Sequence, residues 1–166
     1  MTAVDALRAG AEWPEPGDPA APPPLAGFVV SAFSPMVAAV AERCLRRGYG
    51  APGSPRRTAI VIASALGDVA SAVHVAAAVD HGTRIGPLLF YQSVPNAVAG
   101  YLAARWHLTG PVVCTSPAGD ELAEGLAVAR LLIDDGDCDE ALVVVAYGAG
   151  PDRARAVLVS APEEDA

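Results

Sequence analysis

Residues 58–64 are almost all β-branched or apolar, and this run constrains the fold more than any other stretch of the chain. Such a run is typical of a strand buried on both faces, as in parallel sheets covered by helices. Residues 141–146 form a second run of the same character. Aromatic residues are few, and alanine and valine dominate, which favours helices packed closely on a sheet over a β-sandwich.

The segments around these runs carry apolar side chains every three or four positions, which predicts amphipathic helices. Three of them cover residues 34–47, 68–79 and 117–134, and a segment rich in small residues, 96–107, predicts a fourth. Residues 25–32 are β-rich and predict the first strand. Residues 154–161 predict the last strand, an antiparallel partner of 141–146 across a short turn. The predicted order is β-α-β-α-α-β-α-β-β, an α/β mixed sheet with helices on both faces.

Three regions are expected along the chain. Residues 1–24 contain repeated prolines and predict an extended N-terminal arm, with room for a short helix over residues 4–9. Residues 25–161 predict a single domain, and residues 162–166 a solvated acidic tail.

Charge and cysteine usage exclude several classes of function. The formal net charge is −8 and the chain contains no lysine, so neither nucleic acid nor an anionic membrane is an expected partner. No apolar run reaches the roughly 18 residues of a membrane span, and the N-terminus has no apolar signal core, so we expect a cytoplasmic protein. Three widely spaced cysteines suggest neither a disulfide framework nor a zinc site, and we expect no metal and no cofactor.

A short apolar run at residues 112–115 predicts a buried strand, and Ser116-Pro117 after it predicts a helix start. Many α/β enzymes hold a nucleophile at such a strand-to-helix turn, but Ala118 and Gly119 have no reactive side chain here. Cys114 lies inside the strand, where a thiol has no cause for a lowered pKa, and Ser116 is expected to cap the helix. The turn therefore looks catalytic without containing a nucleophile.

Three segments together resemble one family. They are residues 93–100 (Ser-Val-Pro-Asn-Ala-Val-Ala-Gly), residues 108–111 (Leu-Thr-Gly-Pro) and residues 137–145 (Asp-Cys-Asp-Glu-Ala-Leu-Val-Val-Val). Their order and spacing resemble the N-terminal half of β-ketoacyl synthases, which have the thiolase-like fold. The resemblance extends from about Leu25 to Ser160 and implies half of that fold.

The resemblance also implies a departure from the family's chemistry. In that family the nucleophilic cysteine opens the helix after the Gly-Pro turn, and counting from Gly110-Pro111 places that position at Gly119. The family's catalytic histidines and lysine belong to the second half of the fold. We therefore expect a pseudo-ketosynthase that is not an enzyme on its own, similar to small ketosynthase-like proteins that accompany polyketide or fatty-acid synthase systems.

Two contact regions follow from the resemblance. In the family, the strand before the nucleophile helix pairs with its mate across a dimer two-fold, which points to Val112, Val113, Cys114 and Thr115. The partner is then a second copy or a full ketosynthase. An acidic acyl carrier protein is a further expected partner. Its candidate docking residues are the only basic concentration in the chain, although solvation and helix C-terminal charge are the favoured explanation of this group: Arg43, Arg46, Arg47, Arg56 and Arg57.

Two other interpretations stay open at this stage. In the first, the chain is an enzyme subunit, a malonyl-thioester decarboxylase or an acyl-binding subunit, that a second chain completes. Its backbone amides near Ala118, Gly119 and Asp120 would act as an oxyanion site. In the second, the chain is an α/β domain with an unrelated role.

Overall fold

The computed structural model describes residues 6–147 and 152–162. Within them lie five strands and five helices, in the order β1 (Ala6–Trp13), α1 (Phe33–Tyr49), β2 (Thr58–Ala63), α2 (Val69–Asp80), α3 (Pro87–Gln92), α4 (Pro95–Trp106), β3 (Val112–Thr115), α5 (Glu121–Asp134), β4 (Glu140–Tyr147) and β5 (Arg153–Ser160).

The strands form one mixed sheet in the order β1-β5-β4-β2-β3. β2 pairs in parallel with β3 and β4, with Ile60 opposite both Val112 and Leu142. β5 pairs antiparallel with β4 on one side and with β1 on the other. The predicted α/β mixed sheet and the hairpin of the last two strands are both confirmed.

Helices cover both faces of the sheet, which explains why the central strands are apolar throughout. α1 and α4 pack on one face, where Val37, Leu102 and Trp106 meet Ile60 and Leu142. α5 packs on the other face through Ala129, against Val61 and Val143. All six residues of β2 are buried as a result.

Two glycines allow backbones to approach closely around β3 and α5. A Cβ on Gly110 would lie 2.5 Å from the carbonyl carbon of Thr58, a distance that real Cβ atoms do not reach. A Cβ on Gly125 of α5 would lie 2.8 Å from Cγ1 of Val143. Gly110 therefore fixes the entry into β3, and Gly125 lets α5 sit close to the sheet.

The prediction of an extended arm over residues 1–24 is wrong for residues 6–13. Residues 6–9 belong to β1 and not to a helix, and Ala6–Trp13 pairs along β5 as an edge of the sheet. The domain therefore begins before Leu25. Trp13 is buried, so this strand belongs to the core.

Three further predictions differ from the structure. Residues 25–32 form no strand; Leu25 and Phe28 make only an isolated bridge. The short helix α3 was not predicted. Val112–Thr115 is an edge strand with alternating exposed residues, not a buried one.

Residues 163–166 of the predicted acidic tail and residues 4–5 of the predicted short helix lie outside the described residues. Among the described helices, none is long and apolar enough to cross a membrane.

Candidate functional site

The turn that carries Ala118 and Gly119 lies where β3 ends, at the carboxyl edge of the parallel strands. Ser116 does not cap α5, as the sequence had predicted; its hydroxyl donates to the carbonyl of Ala65 at 2.9 Å, just beyond β2. Asp120 is the N-cap, and its carboxylate accepts a hydrogen bond from the amide of Ala123 at 2.8 Å. Ser116 thus attaches the turn to β2, and α5 begins four residues after Pro117.

The backbone amides of this turn are already occupied by a side chain. Glu124, in the first turn of α5, accepts a hydrogen bond from the amide of Gly119 at 2.6 Å and from that of Ala118 at 3.4 Å. These are the amides that an oxyanion site would use. An acyl oxygen would therefore have to displace a carboxylate that the chain itself supplies.

Other acidic groups surround the turn. Glu121 accepts a hydrogen bond from the amide of Ala65 at 3.2 Å. A cleft of about 370 Å³ opens beside it, between the start of α5 and Tyr147 and Arg155 of the hairpin. Asp120, Glu121 and Glu124 place three carboxylates at the turn, against the one guanidinium of Arg155 in the cleft. This excess of negative charge disfavours an anionic substrate such as a malonyl group.

Cys114 does not have the environment of a reactive cysteine. Its thiol donates to Oδ1 of Asn96 at 2.8 Å, and local burial raises the thiol's pKa above its usual value. A reactive cysteine needs a lowered pKa. Cys114 is nevertheless exposed as a residue, whereas Cys44 and Cys138 are buried.

The outer edge of β3 presents unpaired backbone groups. The amide of Ile60 donates to the carbonyl of Pro111, and that of Ser64 to the carbonyl of Thr115. The backbone carbonyls of Pro111 and Thr115 therefore point towards β2. Because successive residues of a strand direct their backbone polar groups to opposite sides, the N–H and C=O groups of Val112 and Cys114 point away from β2. In the part of the sheet that the structure describes, no strand lies beyond β3.

The two edges of the sheet differ in how they are protected. β1, at the far edge, carries Arg8 and Glu12 and has an irregular register between Leu7 and Ala9. Charges and bulges of this kind discourage pairing with another chain. β3 carries no charged residue and has a regular register with β2. β3 is therefore the edge that is suited to pairing.

A large apolar surface lies on α2 and α3. Only Ser71 of the twelve residues of α2 is buried, although the helix is strongly apolar. α3 adds large exposed side chains, with Phe90 77% exposed. We call this region the α2–α3 surface; its large exposed members are Val69, Val73, Val79, Leu88, Phe90 and Tyr91. Large apolar side chains exposed on two consecutive helices are a feature of interaction surfaces.

The five arginines predicted as a docking patch make different contacts in the structure. Arg43 donates two hydrogen bonds to the carboxylate of Asp18, and Arg47 donates two to that of Glu15. These guanidinium groups hold the pKa of both carboxyls below their usual values. Arg43 and Arg47 thus attach the proline-rich segment after β1 to α1, which sequence reasoning missed.

The other three arginines lie near the ends of α1 and β2. The guanidinium of Arg46 lies over the ring of Trp106, and that of Arg56 lies over the ring of Tyr49 at 4.0 Å. Arg57 pairs with Asp139 at 3.2 Å. Among the described residues, no group of three or more His, Cys, Asp or Glu side chains is arranged to hold a metal ion.

The fold resembles solved ketosynthase structures. A ketosynthase (ApeO) in complex with its chain length factor (ApeC) from Xenorhabdus doucetiae gives a TM-score of 0.65 at 23% identity, over 80% of this chain and 58% of that one. The ishigamide ketosynthase/chain length factor gives 0.66 at 17% identity, over 84% and 46%. A beta-ketoacyl synthase from Burkholderia phymatum STM815 gives 0.66 at 16% identity, over 95% and 53%.

These likenesses confirm the thiolase-like fold that the sequence predicted. The chain spans between about half and three fifths of the length of these structures. No curated protein sequence matches it. The family described as "Beta-ketoacyl synthase, N-terminal domain" matches residues 10–157. The chain therefore belongs to the beta-ketoacyl synthase N-terminal domain family.

Proposed function

We propose that the chain is a non-catalytic, ketosynthase-like subunit of a polyketide or fatty-acid biosynthetic system. It acts by pairing through β3 with a full ketosynthase or with a second copy of itself. The observation that carries this proposal is the open, uncharged edge of β3, where Val112 and Cys114 direct their backbone groups outward. Edge strands of this kind add a neighbouring strand readily.

The α2–α3 surface supports the same conclusion. Phe90, Tyr91 and Leu88 are each more than half exposed, which is costly for a protein that stays monomeric. Solved relatives with this fold include a ketosynthase in complex with its chain length factor. A partner strand at β3 would cover the open edge, and a partner that covers the α2–α3 surface would remove its exposed apolar side chains from water.

The turn after β3 supports the part of the proposal that makes the chain non-catalytic. Gly119 is the position that the family resemblance assigns to the nucleophile, and glycine cannot form a thioester. The alternative, a decarboxylase or acyl-binding subunit, needs the amides of Ala118 and Gly119, which Glu124 occupies. Incubation with malonyl-carrier protein, followed by mass spectrometry, is expected to show no decarboxylation, with or without a partner ketosynthase.

Carrier-protein docking is a further part of the proposal. Because Arg43, Arg46, Arg47 and Arg57 each pair with a carboxylate of this chain, docking of an acidic carrier depends mainly on Arg56. Reversal of charge at Arg56 is expected to weaken carrier binding. The same reversal at Arg84, which is exposed on the loop after α2, is the control.

The pairing is tested with two variants at one position. Light scattering at micromolar concentration is expected to show an assembly for the wild type and for Cys114→Ala. Cys114→Pro removes the outward N–H without removing a bond to β2, so it should give a folded monomer. Circular dichroism verifies that the variant is folded. A monomeric wild type that also captures no ketosynthase encoded beside it contradicts the proposal.

A further inference from the structure

A groove with a volume of about 620 Å³ lies between the proline-rich segment after β1 and the helices α1 and α4, and the turn that carries Gly119 does not line it. The proline-rich segment after β1 forms its outer wall. Volumes of this size are typical of small-molecule sites. The groove's apolar lining includes Pro23, Pro24, Leu25, Pro35, Ala38 and Ala39.

The first part of the outer wall, residues 13–18, is attached to α1. Trp13 is 3% exposed, with the guanidinium of Arg43 5.6 Å from its ring centre. Arg43 also binds Asp18 at 2.7 Å. This part of the wall is therefore held in place before a ligand binds, which lowers the cost of ordering on binding.

Charge at the groove is concentrated at the side where α1 and α4 meet. Arg105 contacts Oε1 of Glu42 through its Nε at 2.5 Å, and Arg46 lies 3.6 Å from Oε2 of the same carboxylate. Tyr101 donates a third contact to Glu42 at 3.3 Å. Two guanidinium groups thus share one carboxylate, which leaves one positive charge uncompensated among these groups.

Both arginine side chains remain accessible, with 52% of Arg46 and 44% of Arg105 exposed. Each guanidinium has five donors in a planar fork, and a single carboxylate cannot satisfy both forks. The rim is therefore suited to a second carboxylate or phosphate head group, bound through charge-assisted hydrogen bonds. The apolar lining beside it offers alanine methyls and proline rings, and proline has no backbone N–H to donate.

We propose that this groove binds a small amphipathic anion, namely a linear alkyl chain that ends in a carboxylate. The chain lies along Leu25, Ala38 and Ala39, and the head group contacts Arg46 and Arg105. This site is independent of β3 and of the pairing proposed above, so either conclusion stands without the other.

The test is calorimetric titration of the full chain with decanoate and with decanol, which has the same alkyl chain but no charge. We expect one decanoate per chain, with decanol at least about tenfold weaker because its neutral hydroxyl forms no ion pair and cannot accept two parallel hydrogen bonds as a carboxylate does. Arg46→Ala and Arg105→Ala should each weaken decanoate binding several-fold. Arg84→Ala removes one positive charge elsewhere and should leave it unchanged.

A second variant excludes adsorption to the exposed α2–α3 surface. Ala39→Trp fills the groove from α1 and should abolish decanoate binding while the circular dichroism spectrum stays that of the wild type. If this variant fails to fold, Arg105→Ala still decides the question, because Arg105 is a surface side chain. Equal affinity for decanoate and decanol, binding that persists in Ala39→Trp, or no binding at all overturns the proposal.

Discussion

The carboxylate of Glu124 lies 2.6 Å from the backbone nitrogen of Gly119, so the turn between β3 and α5 is filled by the chain's own anion. In a ketosynthase-like fold this turn is the position that the family resemblance gives to the nucleophile. The carboxylate stabilises the turn because it accepts hydrogen bonds from the turn's amides. It also lies at the start of a helix, where the helix dipole favours negative charge. The same contact closes the turn to a substrate oxygen.

The first prediction concerns a cysteine introduced at this turn. A Cβ on Gly119 would lie 3.0 Å from Oε1 of Glu124, a flexible group that can shift, so Gly119→Cys should fold. The nearby carboxylate disfavours the thiolate and raises the thiol's pKa. In a Cys114→Ala background, the new thiol should therefore react slowly with iodoacetamide. Adding Glu124→Gln should increase the rate by about tenfold, the effect of a pKa change of roughly one unit.

The remaining cysteines do not obscure this measurement. Cys44 is fully buried, and burial raises its pKa to about 11, while Cys138 is 2% exposed. Equal alkylation rates for Gly119→Cys with and without Glu124→Gln would show that Glu124 does not control the turn.

The second prediction uses Cys114 to detect pairing at β3. Two copies of a four-residue strand that pair antiparallel bring their Cys114 residues to within about 10 Å, given a rise of about 3.3 Å per residue and a strand spacing of about 4.8 Å. A short bismaleimide should therefore link two wild-type chains. Cys114→Ala should not be linked, since the other two cysteines are buried. Linking that persists in Cys114→Ala would place the contact elsewhere.

The third prediction concerns the close approach at Gly110. A methyl group there would meet the backbone of Thr58 and Ala59 within 2.6 Å, and backbone atoms have little freedom to move aside. Gly110→Ala should therefore destabilise the fold by about 2–3 kcal/mol or more, as overpacking does. Gly100→Ala is the matched control, because no atom lies within 4 Å of its Cβ position in α4. It should stabilise the fold by about 0.5–1 kcal/mol through its helix propensity. Urea unfolding measures the free energy of unfolding of both variants. A Gly110→Ala variant as stable as the wild type would contradict the close approach at Gly110.

The central part of this fold is predictable from sequence because its signal is local. β2 and β4 are continuous apolar runs, and a glycine-rich sequence separates the runs of β4 and β5, so pattern alone identifies them. β1 lacks such a signal because it contains Arg8, Gly10 and Glu12. Its pairing with β5 is a tertiary effect that outweighs the weak local preference of an edge strand.

In the candidate site, too, features of the local sequence are predictable, whereas contacts between segments that are distant in sequence are not. The position of β3 and the absence of a nucleophile at Gly119 are visible in the sequence, whereas the contact of Glu124 with the turn requires the geometry of α5. The arginine cluster was predicted as one patch because Arg43, Arg46 and Arg47 are neighbours in sequence. Arg43 and Arg47 bind Asp18 and Glu15 of the distant proline-rich segment, whereas Arg46 pairs with Glu42 of its own helix. The exposure of α2 is likewise invisible in its apolar sequence.

The last prediction concerns the attachment of the proline-rich segment. Arg47 donates two hydrogen bonds to Glu15, and this contact is the main reason why the pKa of Glu15 lies below its usual value of 4.5. Because the folded-state pKa is lowered, the contact contributes stability above about pH 4.5 and loses it as the pH falls through the lower folded value. The segment should therefore loosen at acidic pH and not at alkaline pH.

Carboxyl carbon NMR titration measures this directly. In Arg47→Ala the pKa of Glu15 should rise towards its usual value, whereas that of Asp18, held down mainly by Arg43, should change little. Arg8→Ala is the control, because Arg8 pairs with Glu140 and does not contact Glu15. Amide exchange of residues 13–18 should accelerate in Arg47→Ala at neutral pH to the level that the wild type reaches only in acid. If the pKa of Glu15 is the same in Arg47→Ala as in the wild type, this ion pair does not hold the segment in place.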